Sequence, residues 1–225
     1  MPPRVADLRP SRVLRAKIRM ASPRLEAVAL ALWNHPEFAR IYPAFLFHNH
    51  AVVRASVSLM KAACECAQTV WPHDAVAAPL AEYLRKHIPE ETNHDEWVLE
   101  DLERLGVDRS AVLTRMPPAT VATLVGAQYY WILHHHPIAV LGYIAVLEGT
   151  PPESDRIERV AQASGVPMDA FSTLLRHARL DPYHRDDLDR LLDRLPLSSS
   201  HASLLGVSAF HTVHWLGRVV EDALS

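Results

Sequence analysis

Apolar residues recur along most of the chain at intervals of three and four, which is the spacing of one face of an α-helix. No stretch alternates apolar and polar residues for long enough to predict a β-strand. Prolines and the 7 glycines divide the pattern into segments of ordinary helical length. The pattern therefore predicts an all-α protein with about seven main helices in a single domain, residues 1–225.

Proline, glycine and capping residues set the predicted boundaries. The predicted helices are Val5–Met20, Pro23–Trp33 (with Ser22 as N-cap), Pro43–Val70, Asp74–Leu105, Pro117–His136, Pro137–Glu148, Glu153–Ser164, Pro167–Leu180, Pro182–Leu195 and Ser198–Leu224. The residue before a proline avoids the α region, so Asp181 is expected at a helix break. The N-terminal helix, within residues 1–20, is expected at the periphery of the domain.

Composition is that of an ordinary soluble protein, with 49% hydrophobic and 22% charged residues. A net charge of -3 gives no broad basic surface, so nucleic-acid binding is not expected. No apolar run reaches the ~18 residues of a membrane span, and the basic N-terminus lacks the apolar part of a signal peptide. Cys64 and Cys66 lie two residues apart on a predicted helix and are not expected to pair. These features indicate a cytoplasmic protein.

The first candidate site segment contains His177, Asp181 and His184, which share one face if the segment is helical. Two imidazoles and one carboxylate suit a transition metal such as iron. The alternative is an exposed polar segment, since arginine and aspartate residues surround the three. The other histidines lack such spacing, although His50 could approach a pocket.

A second candidate segment runs from His87 to His94. Glu91 and His94 form a Glu-x-x-His pair, which can hold one ion from one helix face. Glu90 is four residues before His94 and could replace Glu91, and His87 falls on the same side of the helix. The alternative is a charged turn that faces solvent.

Glu148 ends an almost wholly apolar predicted helix. A carboxylate in such surroundings is unfavourable unless it is paired or bound to a cation, or unless it points outward at the helix end. Glu65 is a weaker further candidate on a long apolar helix. Three imidazoles and three carboxylates on separate helices are what a two-iron site in a helical bundle requires.

In their order along the chain, these residues resemble the haem-oxygenase-like di-iron oxidases and oxygenases, often called iron-containing redox enzymes. The matching blocks are Glu90-Glu91-x-x-His94-Asp95-x-Trp97 with Asp101-Leu102-x-x-Leu105-Gly106, then Pro137-x3-Leu141-Gly142-Tyr143-x4-Glu148-Gly149, then His177-x3-Asp181-x2-His184. The resemblance covers roughly residues 44–195.

The resemblance implies a seven-helix haem-oxygenase-like bundle without haem. It implies two iron ions, held by Glu91, His94, Glu148, His177, Asp181 and His184. Some members of the family have a glutamate seven residues before the first histidine ligand, where this chain has His87. We therefore keep His87, Glu90 and Glu65 as reserve ligands. The family's third metal-binding helix is loosely held, and the expected break at Asp181 would be a local cause.

The expected function is that of a non-haem di-iron enzyme that binds two Fe(II) ions and uses O₂ as co-substrate. It would oxidise or oxygenate a small amino-acid-like or fatty-acid-like molecule through a peroxo-di-iron intermediate, with Glu148 as the bridging carboxylate. A small-molecule substrate is the expected partner; a homodimer stays open, and neither nucleic acid nor membrane is expected. The alternatives are the same fold without di-iron chemistry (thiaminase-like or a cofactor-free oxidase) and a non-enzymatic helical interaction protein.

Overall fold

A computed structural model of the protein describes residues 9–149 and 153–225. Within these residues the chain forms a single all-α domain of eleven helices and one 3-10 turn, Met168–Phe171, and has no strand. The helices are α1 (Pro10–Ala21), α2 (Pro23–Trp33), α3 (Phe38–Thr69), α4 (Ala77–Glu91), α5 (His94–Arg104), α6 (Arg109–Thr114), α7 (Ala119–His134), α8 (Ala139–Leu147), α9 (Ser154–Ser164), α10 (Ser172–Arg194) and α11 (Ser199–Ala223). The predicted all-α fold is confirmed. None of the helices described is long and apolar enough to cross a membrane.

Most predicted boundaries lie within a few residues of the observed ones. Gly165 ends α9 with a φ of 72°, the left-handed conformation that glycine adopts most easily. Ser22 occupies the N-cap position of α2, as expected, but its side chain does not cap the helix, because its hydroxyl donates to the carbonyl of Ile18, 2.8 Å away in α1. The first residues of the predicted helix Val5–Met20 lie outside the described part of the chain.

The prediction of one helix from Asp74 to Leu105 is wrong, because the chain breaks between α4 and α5. Thr92 is extended and Asn93 has a φ of 72°. Asparagine tolerates this left-handed conformation better than most residues, because its short side chain fits there. As a result Glu91 ends one helix and His94 begins the next.

The predicted break at Asp181 is also wrong, because α10 runs without interruption through Pro182. An internal proline removes one helical hydrogen bond and costs about 3 kcal/mol. Burial of apolar residues such as Leu188 and Leu192 on the same helix offsets that cost. The continuous helix carries His177, Asp181 and His184 on one face.

The core is built around the long helices α3 and α11. Helix α3 packs against α4, α5 and α7, whereas α11 packs against α1, α2, α7 and α8. Leu14 and Ile18 of α1 are buried in the main core, so the described part of the N-terminal helix is integral to the domain. Cys64 and Cys66 are both free, as expected, and both are buried.

Helices α8 and α11 approach each other closely at Gly142. A Cβ atom at this position would lie 2.6 Å from the carbonyl oxygen of Leu205 and 2.8 Å from Ser208. Ser208 itself donates to the carbonyl of Ala139, 2.7 Å away in α8. Only a glycine allows this backbone contact, which fixes α8 and the glutamate that follows it.

Substitution of Gly142 by alanine should destabilise the fold by about 1–3 kcal/mol, because the added methyl group meets backbone. Gly126→Ala is the matched control: nothing lies within 4 Å of its Cβ position on α7. This control should stabilise the protein by about 0.5–1 kcal/mol through helix propensity. Urea unfolding measures the free energy of unfolding of both variants, and equal changes in the two would contradict the close contact at Gly142.

Candidate metal centre

The candidate centre lies where the end of α4, the start of α5 and the end of α8 face the middle of α10. Seven imidazole and carboxylate side chains come together there: His87, Glu91, His94, Glu148, His177, Asp181 and His184. All six residues that the sequence predicted as ligands are among them. The seventh, His87, was a reserve candidate.

The first group of possible ligands comprises His87, Glu91, Glu148 and His184. One nitrogen or oxygen atom from each lies within 4.8 Å of the others. His87 Nε2 is 2.8 Å from Glu148 Oε1, and His184 Nδ1 is 3.2 Å from Glu91 Oε1. This group therefore combines two imidazoles and two carboxylates from three segments of the chain.

The second group comprises Glu91, His94 and His177, whose ligand atoms again lie within 4.8 Å of one another. His94 Nδ1 is 3.0 Å from Glu91 Oε2, and the rings of His94 and His177 are nearly perpendicular. Glu91 belongs to both groups and turns one oxygen toward each. Glu91 is thus the carboxylate that the two groups share, whereas Glu148, which we expected to bridge two ions, belongs to the first group alone.

Asp181 lies beside these groups and is 3% exposed. Its burial, together with the charges of Glu148 and Glu91, raises its pKa to about 8. Burial is the largest influence on His87 and opposes its charge, but the hydrogen bonds to Glu148 and Glu90 and the charges of Glu148 and Glu91 together outweigh it and raise the pKa of His87 to about 9. Burial also opposes the charge on Glu91, yet the adjacent His184 and His94 hold its pKa well below the ordinary value. The centre is therefore a set of strongly coupled charges.

Several buried polar atoms of the centre have no hydrogen-bond partner among the described residues. They are Glu91 Oε1, His94 Nδ1, Glu148 Oε2, Asp181 Oδ1 and His184 Nδ1. The contacts of Glu91 with His94 and His184 are short, but their angles are not those of hydrogen bonds. Buried polar atoms are rarely left unpaired, and imidazole with carboxylate is a ligand set that suits iron. The residues present therefore fit metal ions.

Two of the imidazoles are oriented by contacts of their Nδ1 atoms with residues outside the two groups. His177 Nδ1 donates to the carbonyl oxygen of Thr173 at 2.9 Å, which leaves Nε2 with its lone pair available. His87 Nδ1 is 3.3 Å from Glu90 Oε2. The Glu90 side chain is 38% exposed and, among the described residues, forms no ion pair or hydrogen bond with the other six side chains. Glu91 belongs to both groups of possible ligands, and Glu90 to neither.

Comparison with known protein families agrees with this geometry. The sequence profile of the family described as iron-containing redox enzyme matches residues 43–210. The chain belongs to this family. No curated protein sequence matches the chain.

Solved structures of other proteins are similar to this chain in fold. A domain of unknown function with a heme oxygenase-like fold from Shewanella denitrificans is similar, with a TM-score of 0.73 and 15% identity over 95% of this chain and 88% of that one. A TenA homolog from Pseudomonas syringae pv. tomato gives a TM-score of 0.70 at 12% identity, over 95% of this chain and 91% of that one. The predicted haem-oxygenase-like fold is confirmed.

Trp97 forms one wall of the centre. Its ring stacks on His94 at a centroid distance of 3.9 Å and meets the edge of His177 at 5.9 Å. The guanidinium of Arg176 lies 4.7 Å from the Trp97 ring centroid. The indole thus separates the second group from a charged side chain at the surface.

Asp101 is a site residue whose role the sequence reasoning missed. It is completely buried on α5, accepting from Ser172 Oγ at 2.6 Å, from the Thr173 N–H at 2.9 Å and from Arg104 at 3.1 Å. Its carboxylate therefore caps the N-terminus of α10, where a negative charge is favourable. Asp101 joins the helix of His94 to the helix of His177. The available signal was its position seven residues after His94, on the same helical face.

Other metal-capable residues lie elsewhere. Glu65, a reserve candidate, is on the exposed face of α3 and belongs to none of the groups within the described residues. Asp74, His136 and His201 form a separate group. The Nδ1 atoms of both its histidines accept backbone N–H groups, which leaves the proton of a neutral ring on Nε2. That tautomer has no lone pair on Nε2 for a cation.

Asp101→Asn should destabilise the protein by about 2 kcal/mol, because it removes a buried, charged acceptor from the end of α10. Asp169→Asn is the control: Asp169 also pairs with Arg104, at 3.7 Å, but its side chain is 68% exposed. The control should change stability by less than about 0.5 kcal/mol. Chemical denaturation of both variants measures the loss in free energy of unfolding. Similar small losses in the two variants would contradict the capping role of Asp101.

Proposed function

We propose that the protein is a non-haem di-iron enzyme that uses O₂ to oxidise or oxygenate a small organic substrate, amino-acid-like or fatty-acid-like. The observation that carries the proposal is Glu91, a largely buried carboxylate that two groups of imidazoles share. A carboxylate between two metal positions is characteristic of di-iron sites in helical bundles. Membership of the iron-containing redox enzyme family supports iron as the metal.

In this proposal each group holds one ion. His87, Glu91, Glu148 and His184 would bind the first, and Glu91, His94 and His177 would bind the second. Asp181, with an unpaired buried oxygen, would complete one of the two positions. Bound ferrous iron would supply the electrons that reduce O₂, which no amino-acid side chain provides readily.

The protein's own residues would hold the ligands in place and keep water away. The hydrogen bond to the Thr173 carbonyl holds the proton of His177 on Nδ1, so that Nε2 stays free to bind a metal ion. Trp97 covers His94 and His177, and its apolar ring limits the access of solvent to them. Asp101 fixes the start of α10 and with it the distance between the two histidine-bearing helices.

The alternative is a protein of this fold without metal chemistry. Such a protein would have no need of unpaired buried atoms on Glu91, Glu148 and Asp181. A non-enzymatic interaction protein would instead carry these groups on its surface, where they would be hydrated. The burial of all three favours the metal-dependent proposal.

Anaerobic titration with Fe(II) tests the proposal. The wild-type chain should bind about two irons, and admission of O₂ should give a transient visible absorption band. Glu91→Ala should lose both irons because it belongs to both groups, whereas His177→Ala should retain about one. His214→Ala, on the exposed face of α11, is the matched histidine control and should bind as wild type.

Two outcomes would contradict the proposal. One is the absence of iron binding by the folded wild-type protein, with folding checked by circular dichroism. The other is full two-iron binding by Glu91→Ala, which would show that the shared carboxylate holds neither ion.

A further inference from the structure

We infer that a groove between α3, α6 and α7 is a second ligand site, which takes a flat apolar molecule carrying one carboxylate. The groove has a cavity volume of about 470 Å³, within the usual range for small-molecule sites. None of the side chains that line it belongs to the His/Glu/Asp centre. The inference therefore holds whether or not the centre binds iron.

The shape of the groove comes from small residues between aromatic ones. Ala51 and Ala55 on α3 and Ala122 on α7 line the groove, where larger side chains would fill the space. Phe47 and Tyr129 line the same space. Tyr129 is half-buried beside this space, and its ring favours a planar apolar body that can stack against it, whereas Phe47 is buried and shapes the floor of the groove.

The charge of the groove is positive. Arg54 and Arg115 both line it, and neither has a carboxylate within 4.0 Å among the described residues. The Arg115 guanidinium lies 4.2 Å from the Phe47 ring centroid. A guanidinium that stacks on a ring keeps its N–H edge free, and that edge matches the two oxygens of a carboxylate.

His50 adds a polar atom that is otherwise unused. It lines the groove and is 3% exposed, and its Nε2 has no hydrogen-bond partner in the described parts of the chain. Burial lowers the pKa of His50, so the imidazole is neutral near pH 7. A neutral imidazole without a partner needs a hydrogen bond that the protein does not supply. A polar ligand in the groove would supply it.

The full-length protein titrated with 2-naphthoate, followed by isothermal calorimetry at pH 7, tests the inference. We expect saturable binding at one site per chain. Arg54→Gln and Arg115→Gln should each weaken binding about tenfold, since each removes a charged contact. Arg12→Gln, an exposed arginine on α1, should leave it unchanged. The neutral analogue 2-naphthylmethanol should bind about tenfold more weakly than the carboxylate.

A further variant tests whether the ligand binds in the groove. Ala122 is exposed, so Ala122→Phe fills the groove from outside without disturbing the core, and it should abolish binding. Equal affinities in the two arginine variants and wild type would overturn the inference. So would equal affinities for the carboxylate and the alcohol, or binding that is lost in His177→Ala and kept in Ala122→Phe. None of these outcomes bears on iron binding by the centre.

Discussion

Carboxylates that are buried side by side repel one another and have lost most of their hydration, and the interior of this protein is arranged around that cost. Glu91, Glu148 and Asp181 meet within the bundle, and the raised pKa of Asp181 reflects first its burial and then the repulsion from the other two carboxylates. Histidine protons compensate in part, as the raised pKa of His87 shows. A cation in each of the two groups would relieve the repulsion and give the unpaired oxygens and nitrogens a partner. This balance of charge links the fold to the function that we propose.

The helices serve this centre chiefly through their ends. The break between α4 and α5 lets Glu91 and His94 approach from two helices, and Glu148 follows the last turn of α8. Helix α10 faces all three and is held at both ends of its ligand-bearing stretch. Asp101 caps its start, while Arg15 binds Asp189 near its end and the Ala145 carbonyl of α8, at 3.0 and 2.6 Å. The position of α10 thus depends on charged contacts with α1 and α5, and Arg15 also ties α1 to α8.

The helical periodicity of the sequence was enough to predict the fold class and most helix boundaries. The spacing of the metal-capable residues and the family resemblance predicted the segments that meet in the centre. The periodicity did not predict the break at Asn93, because a single left-handed residue leaves no mark on the apolar pattern. A break was predicted at Asp181 because the conformational preference of a residue before proline does not include the tertiary packing that keeps α10 continuous through Pro182. The shared role of Glu91 and the capping role of Asp101 depend on which atoms of distant helices meet, and spacing along one helix cannot give that.

The central claim is that two cations lie on either side of Glu91. Crystals grown anaerobically with Co(II) in place of Fe(II) and measured at the cobalt absorption edge would test it most directly. We predict two anomalous peaks about 3.5–4 Å apart, both within bonding distance of Glu91. A single peak, or peaks that Glu91 does not contact, would contradict the claim.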